Sequence, residues 1–177
     1  MKWVLIILGA LAGIAALVAI IGALLPKEHV ATRAARFAQT PAAVWQAITD
    51  FEKFPSWRDG VTSVERLPDR DGHTVWMERG AHDSIPYELV ESVAPIGNSP
   101  GRAVTRIADP KLPFGGTWTL EVTPMDGGTL LRITERGEVY NPLFRFMSRF
   151  IFGYTKSMES YLSALGRKFG ETVSIRE

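Results

Sequence analysis

Glu135 is the carboxyl group of this chain with the strongest claim to chemistry. It continues the alternation of Leu131 and Ile133, which runs opposite Arg132 and Thr134, so a strand here turns Glu135 toward the apolar face. A buried carboxyl group whose pKa is raised serves as general acid or base, for example in an aldol cyclisation or dehydration. The same position also suits an ion pair with a neighbouring arginine, or the rim of a core where the strand leaves it. Glu78 makes a similar but lesser case. Tyr87 and Tyr154 add phenolic hydroxyls able to donate to a substrate carbonyl, the alternative being that each meets an ordinary acceptor inside a core.

Other chemistry is excluded by composition. There is no cysteine, and His29, His73 and His82 fall in separate segments, so the chain has no zinc pattern, no thiol nucleophile and no H-E-x-x-H motif. His73 and His82 sit in or near turns and are expected in solvent. G-x-S-x-G, P-loop and G-x-G-x-x-G sequences are absent, and neither a metal nor a cofactor is expected. Lys2 aside, 19 basic residues balance 19 acidic ones, which gives no basis for nucleic-acid binding.

The candidate groups need elements to position them. Pro26 to His29 reads as a short linker, followed by a modestly alternating strand over Val30 to Ala38. Thr40 as N-cap and Pro41 at the first helical position start a helix whose Val44, Trp45, Ala47 and Ile48 have helical spacing, and a short turn from Phe51 to Phe54 ends at Pro55. The period then changes to that of strands: Val61 to Arg66, His73 to Arg79, Tyr87 to Val93, Arg102 to Ala108, Gly116 to Thr123 and Thr129 to Val139. The Pro-, Gly- and Asp-rich turns between them are too short for parallel crossovers, so the strands are antiparallel neighbours. Trp118, Leu120 and Val122 share one face, which makes one side of the sheet apolar.

A final helix is expected to cover that side. Asn141 is a suitable N-cap, Pro142 occupies the first helical position, and no proline follows, which predicts one helix to about Gly170. Leu143, Met147, Phe150, Ile151, Tyr154, Met158, Tyr161, Leu162, Leu165 and Phe169 fall on one stripe. Arg145, Arg149, Lys156 and Arg167 fall opposite, with Phe152 exposed among them: a solvated face, or a contact with a lipid surface. Gly153 interrupts the apolar stripe at a cost of ~1 kcal/mol against alanine, which suggests that it leaves room for a ligand or for the sheet backbone. The fold class is therefore α+β, a curved antiparallel sheet of about seven strands around a long C-terminal helix.

Ahead of this domain, Trp3 to Leu25 is a run of 23 residues without charge, side-chain amide or proline. As a helix it would span ~35 Å, enough for a hydrocarbon core of ~30 Å. A cleaved signal peptide is the alternative. It fits less well, because signal h-regions are typically ~7 to 15 residues and no small-x-small pair follows Leu25. Residues 1–26 are read as a single-pass transmembrane anchor in the cell membrane and residues 27–177 as the domain. Lys2 argues for one orientation and Lys27, Arg33 and Arg36 for the other; the short N-terminal tail tips the reading toward an extracytoplasmic domain. Gly9 and Gly13 form a GxxxG pair that suits a homodimer, although small residues are common in any membrane helix.

The order of elements resembles the helix-grip fold of the START-like superfamily (SRPBCC), which includes polyketide cyclases and dehydrases and lipid-transport proteins. The stretch Thr40 to Trp57, in which a Pro-initiated helix ends at Asp50-Phe51 and Pro55-Ser56-Trp57 follows, looks like the superfamily's opening motif. Leu112 to Trp118 and the terminal helix look like its bacterial members. The resemblance covers about Val30 to Phe169. It implies a cavity between sheet and helix that holds an apolar molecule, with Trp57 and Trp76 at its mouth, although tryptophan is equally a good core residue. The sheet residues Trp118 and Leu120, opposed by Met147, Ile151, Tyr154 and Met158, suit such a lining, the alternative being a solid core. Tyr87 and Glu135 complete the set of expected ligand-binding residues.

Three functions follow as expectations. The first is a membrane-tethered binder or carrier of a lipid, quinone or polyketide-like compound. The second is a cyclase or dehydratase using the same cavity, with Glu135 as its candidate catalytic residue, and the reading leans away from an enzyme. The third is a non-catalytic membrane interaction module.

Overall fold

A computed structural model describes residues 2–177 and carries the expected α+β architecture. Helix α1 (Lys2–Leu24) precedes strand β1 (Glu28–Phe37), helix α2 (Pro41–Thr49) and a 3-10 turn (Phe51–Ser56). Six strands follow: β2 (Ser63–Arg70), β3 (His73–Arg79), β4 (Ser84–Val93), β5 (Gly101–Ile107), β6 (Phe114–Met125) and β7 (Gly128–Val139). Helices α3 (Pro142–Met147) and α4 (Lys156–Lys168) and a two-residue strand β8 (Ile175–Arg176) complete the chain.

The strands form one antiparallel sheet in the order β2-β3-β4-β5-β6-β7-β1-β8. It has eight strands rather than seven because β8 pairs with β1 at Ala34 and Ala35. Strands β2 to β7 are a meander of sequence neighbours, while β1 pairs over its whole length with β7, from Glu28 opposite Glu138 to Phe37 opposite Thr129. The alternation read from the sequence is the one that packs: Ala35, Phe37, Leu120, Val122, Leu131 and Ile133 are buried on the concave side. Helix α4 lies against them through Met158, Tyr161, Leu162 and Leu165, spaced as one helical face, and Val44, Ala47 and Ile48 of α2 close the same core.

Both helix starts are capped as expected. The Thr40 hydroxyl accepts from the Ala43 amide at 3.3 Å, and the Asn141 side-chain oxygen accepts from the Leu143 amide at 2.9 Å. Two expectations fail nearby. Strand β1 begins at Glu28, so His29 belongs to the sheet rather than to a linker.

The C-terminal helix is also not continuous. After α3 a π turn runs over Ser148–Phe152, and Gly153 breaks the helix at φ +76°, before α4 starts at Lys156. A Cβ at Gly153 would meet nothing within 4 Å, so crowding does not require the glycine there, whereas its positive φ does. The two sides of the break are held by different partners. Arg145, predicted on a solvated face, is buried, and its Nη1 donates to the carbonyls of Ala23 at 3.3 Å and Leu25 at 2.8 Å at the end of α1. Arg145 lies against α1 on one side of the break, and Met158 packs against the sheet on the other. Leu143, Phe150 and Ile151 leave the packed stripe and are exposed.

Candidate functional site

Between the concave face of the sheet and α4 lies a cavity of about 450 Å³. Its sheet side carries Trp76, Tyr87, Thr105, Trp118, Leu120 and Glu135; α4 and the segment before it contribute Tyr154, Ser157, Tyr161 and Ala164; Ile48, Phe51 and Phe54 close another wall. Aromatic packing keeps these walls in place. Trp76 stacks on Phe51 with ring centroids 3.8 Å apart, and Trp118 meets Tyr161 edge to face at 5.7 Å.

Asp59, Glu78, Glu135 and Glu138 bring carboxyl groups to the cavity lining, and two of them, Glu78 and Glu135, are each held by an indole N–H. Trp76 Nε1 donates to Glu78 Oε1 at 3.0 Å, and Trp118 Nε1 donates to Glu135 Oε2 at 2.8 Å. The first pair is two residues apart on one strand; the second faces across the β6–β7 register. Strands β4, β5 and β6 separate the two carboxyl groups in the sheet order. That is about 19 Å along the sheet surface at ~4.8 Å per strand.

Their second partners differ, and so does what each can do. Glu78 accepts two bonds from Arg58 Nη1, both 2.9 Å, and the guanidinium also lies over the rings of Phe54 and Tyr161 at 4.7 and 5.0 Å. Arg58 therefore commits Glu78 to a closed ion pair. Glu135 instead meets His29 Nε2 through Oε1 at 3.2 Å. A carboxyl group paired with an imidazole can take or give a proton through its partner, which a carboxylate locked to arginine cannot.

His29 is positioned by contacts with residues distant in sequence. Register places it opposite Gly137, and a Cβ at Gly137 would collide with the imidazole, so glycine there lets the ring lie over β7 and reach Glu135 two residues away. Tyr154 then stacks on the imidazole at 3.9 Å between centroids, with ring planes 19° apart. Tyr154 directly follows the break at Gly153. Burial raises the Tyr87 phenol above its ordinary pKa, with the nearby Glu78 charge adding to the effect, and burial likewise raises Tyr161. Both phenols are thus protonated hydrogen-bond donors at the cavity wall over the physiological range.

Of the ten residues expected at a ligand site, Trp76, Tyr87, Trp118, Leu120, Glu135 and Tyr154 line this cavity. The other four lie elsewhere. Trp57 packs in the core behind Phe54 and Tyr161, its indole N–H buried without an acceptor among the described residues. Met158 is wholly buried in the same core, Met147 is half-buried outside the lining, and Ile151 is 60% exposed. His73 is not simply solvated, because its Nδ1 lies 2.6 Å from the Glu88 carboxylate.

Sequence reasoning missed His29 and Arg58. A signal for His29 existed: the inward alternation Phe37, Ala35, Arg33, Ala31 extends back to residue 29. Arg58 had none, since its partner is chosen by a contact between a loop and a distant strand. Among the described residues no group of three or more His, Asp or Glu side chains is arranged to hold a metal.

Residues 28–170 match the sequence model of the family described as polyketide cyclase / dehydrase and lipid transport. No curated protein matches the chain in sequence. Solved structures do match in fold. A START superfamily protein from Mycobacterium smegmatis is 15% identical with a TM-score of 0.56, over 79% of this chain and 96% of its own. The Zhui aromatase/cyclase from Streptomyces sp. R1128 is 11% identical with a TM-score of 0.59, over 80% and 93%. Norcoclaurine synthase from Thalictrum flavum is 12% identical with a TM-score of 0.57, over 86% and 91%. At these identities the similarity is one of fold.

Proposed function

Because this chain belongs to the polyketide cyclase/dehydrase and lipid transport family, we propose that it binds an apolar small molecule carrying a polar group, such as a lipid, quinone or polyketide-like compound, beside a membrane that α1 anchors. Residues 1–26 act as the anchor and 27–177 as the ligand domain. The observation that carries this reading is the cavity of about 450 Å³, within the usual ~300 to 1,000 Å³ of small-molecule sites. Its aromatic walls supply apolar contact; the His29–Glu135 pair, Tyr87 and Tyr161 supply orientation at fixed points. In support of the anchor, α1 is long and apolar enough to cross a membrane, and its exposed side chains include Leu5, Ile6, Leu8, Leu11 and Ile14.

Extraction of the full chain from membranes, followed by organic extraction and mass spectrometry, tests the proposal. The expected result is an apolar compound recovered at near-stoichiometric yield and lost when Thr105 is replaced by Trp to fill the cavity. Equal recovery from the filled variant would refute the cavity as its site.

A second reading, a cyclase or dehydratase, is favoured by one observation: His29 and Glu135 bond each other at the cavity wall. In that reading Glu135 takes a proton from carbon next to a bound carbonyl, and a protonated Tyr87 or Tyr161 donates to the carbonyl oxygen. Proton exchange into a bound β-diketone, followed by NMR, would be lost in Glu135→Gln and strongly slowed in His29→Ala. Exchange at the uncatalysed rate in the wild-type chain would end this reading.

A further inference from the structure

Five large apolar side chains lie uncovered on the segment between β7 and α4. Leu143, Phe144, Phe150, Ile151 and Phe152 are each 45 to 60% exposed. A soluble domain would rarely concentrate them in ten residues. Their position relative to α1 indicates what covers them. Gly22 is buried against α3, so closely that a Cβ there would collide with the carbonyl oxygen of Pro142. Arg145 then ties α3 to the carbonyls of Ala23 and Leu25.

These contacts set a depth. At ~1.5 Å per residue, Gly22 lies about 4.5 Å along the helix axis from Leu25, so α3 sits beside the last turn of α1. If α1 spans a bilayer, that turn is at the boundary between acyl chains and headgroups. Interfacial helices bury their apolar face about 5 to 10 Å into that boundary. Lys27, Arg149 and Lys156, all exposed, flank the segment with charges suited to lipid phosphates.

We propose that residues 143–152 lie in the bilayer interface, with Leu143, Phe144, Phe150, Ile151 and Phe152 among the acyl chains. The occupant of this apolar surface is the phospholipid bilayer that holds α1. Phe144 and Ser148 of the same segment, with Gly153 and Tyr154 after it, also line the cavity. The segment is therefore the wall through which the cavity meets the membrane. The inference rests on α1 as a membrane span and is independent of which ligand the cavity takes.

The chain has no cysteine, so single-cysteine variants can be labelled without background. Phe150→Cys, Ile151→Cys, Ile14→Cys on α1 and Ser63→Cys on β2 would each carry an environment-sensitive fluorophore in the full chain. The chain would be reconstituted in phosphatidylcholine–phosphatidylglycerol vesicles containing nitroxide lipid. Positions 150 and 151 should shift to the blue and be quenched several-fold by the shallow nitroxide; position 14 should be quenched by the deep one; position 63 should be quenched only by iodide from the water. Water-like emission at 150 and 151 with deep quenching at 14 overturns this inference and leaves the anchor standing. Water-like emission at 14 as well overturns both. Lipid quenching at 63 as strong as at 150 would mean general adsorption and also overturns the proposal.

Discussion

Replacing Arg58 by methionine should be among the most damaging single changes to the cavity wall, and the structure says by how much. Methionine keeps much of the apolar stem while removing the guanidinium. What is lost is a pair of 2.9 Å bonds to Glu78, whose side chain is 9% exposed, and the stacking over Phe54 and Tyr161. Breaking a buried ion pair from one side costs ~3 to 5 kcal/mol, because the remaining charge stays buried with too few partners. Trp76 still donates one bond to Glu78, which argues for the lower end, and the cation–π contacts add back roughly 0.5 to 1 kcal/mol. About 4 kcal/mol is expected. For a domain of this size 1 kcal/mol moves Tm by ~2 to 4 °C, so Arg58→Met should lower it by roughly 8 to 16 °C. Glu78→Gln removes the charge but keeps an acceptor for Trp76, and Arg58 is free to turn toward solvent, so about 1 to 2 kcal/mol is expected. The decisive quantity is the coupling. In the double variant nothing charged is left unpaired at Glu78, so it should be more stable than Arg58→Met alone by at least ~1 kcal/mol. Thermal unfolding of the four full-length proteins in one detergent, followed by tryptophan fluorescence and by circular dichroism, reads the cycle. A double variant less stable than Arg58→Met, or additive effects throughout, would refute the claim that Arg58 and Glu78 act as one buried pair.

Three further outcomes are expected. Gly22→Leu should push α3 from α1 and break the Arg145 bonds to Ala23 and Leu25; with about 1.4 kcal/mol or more of local stability lost, tryptic cleavage after Arg145 should accelerate roughly tenfold, and unchanged cleavage would show that α3 does not depend on this contact. Glu88 has its pKa lowered by the bond from Arg106 and further by His73, against the opposing effect of burial. Its folded value thus lies below its unfolded one, so its contribution is full above the unfolded value near ~4.3 and is lost as pH falls through the folded value. Glu88→Gln should therefore lower stability at neutral pH and flatten the acid limb of a stability–pH profile; an unchanged limb would count against the cluster. Finally, a Cβ at Gly9 or Gly13 would meet nothing within 4 Å, which leaves that face of α1 open to a second copy. If a homodimer of the kind the GxxxG pair suits forms there, the double replacement of Gly9 and Gly13 by leucine should reduce cross-linking in membranes several-fold, and equal cross-linking would place any dimer elsewhere.

Much of the fold was legible because the signals that set it are local. Period-two alternation in β6 and β7, the N-caps Thr40 and Asn141 with prolines behind them, and the short turns between strands each depend on residues a few positions apart. The same alternation turned Glu135 inward, and the apolar run of α1 needed only counting. The strands of the β2 to β7 meander and their antiparallel pairing followed from these features, and so did the face that α4 covers.

What the tertiary structure decided are the contacts between residues far apart in sequence. His29 reaches Glu135 because β1 crosses back to pair with β7 in a register that sets it opposite Gly137. Arg58 closes on Glu78 across a loop and a strand, which makes one inward carboxylate a committed ion pair and leaves the other bonded to His29 and Trp118. The C-terminal helix divides at Gly153, with Arg145 before the break bound to the end of α1 and Met158 after it packed against the sheet. Periodicity states which way a side chain points; it carries no information about which distant group stands there, and that choice, made by register and packing, separates a lining carboxyl group from a site.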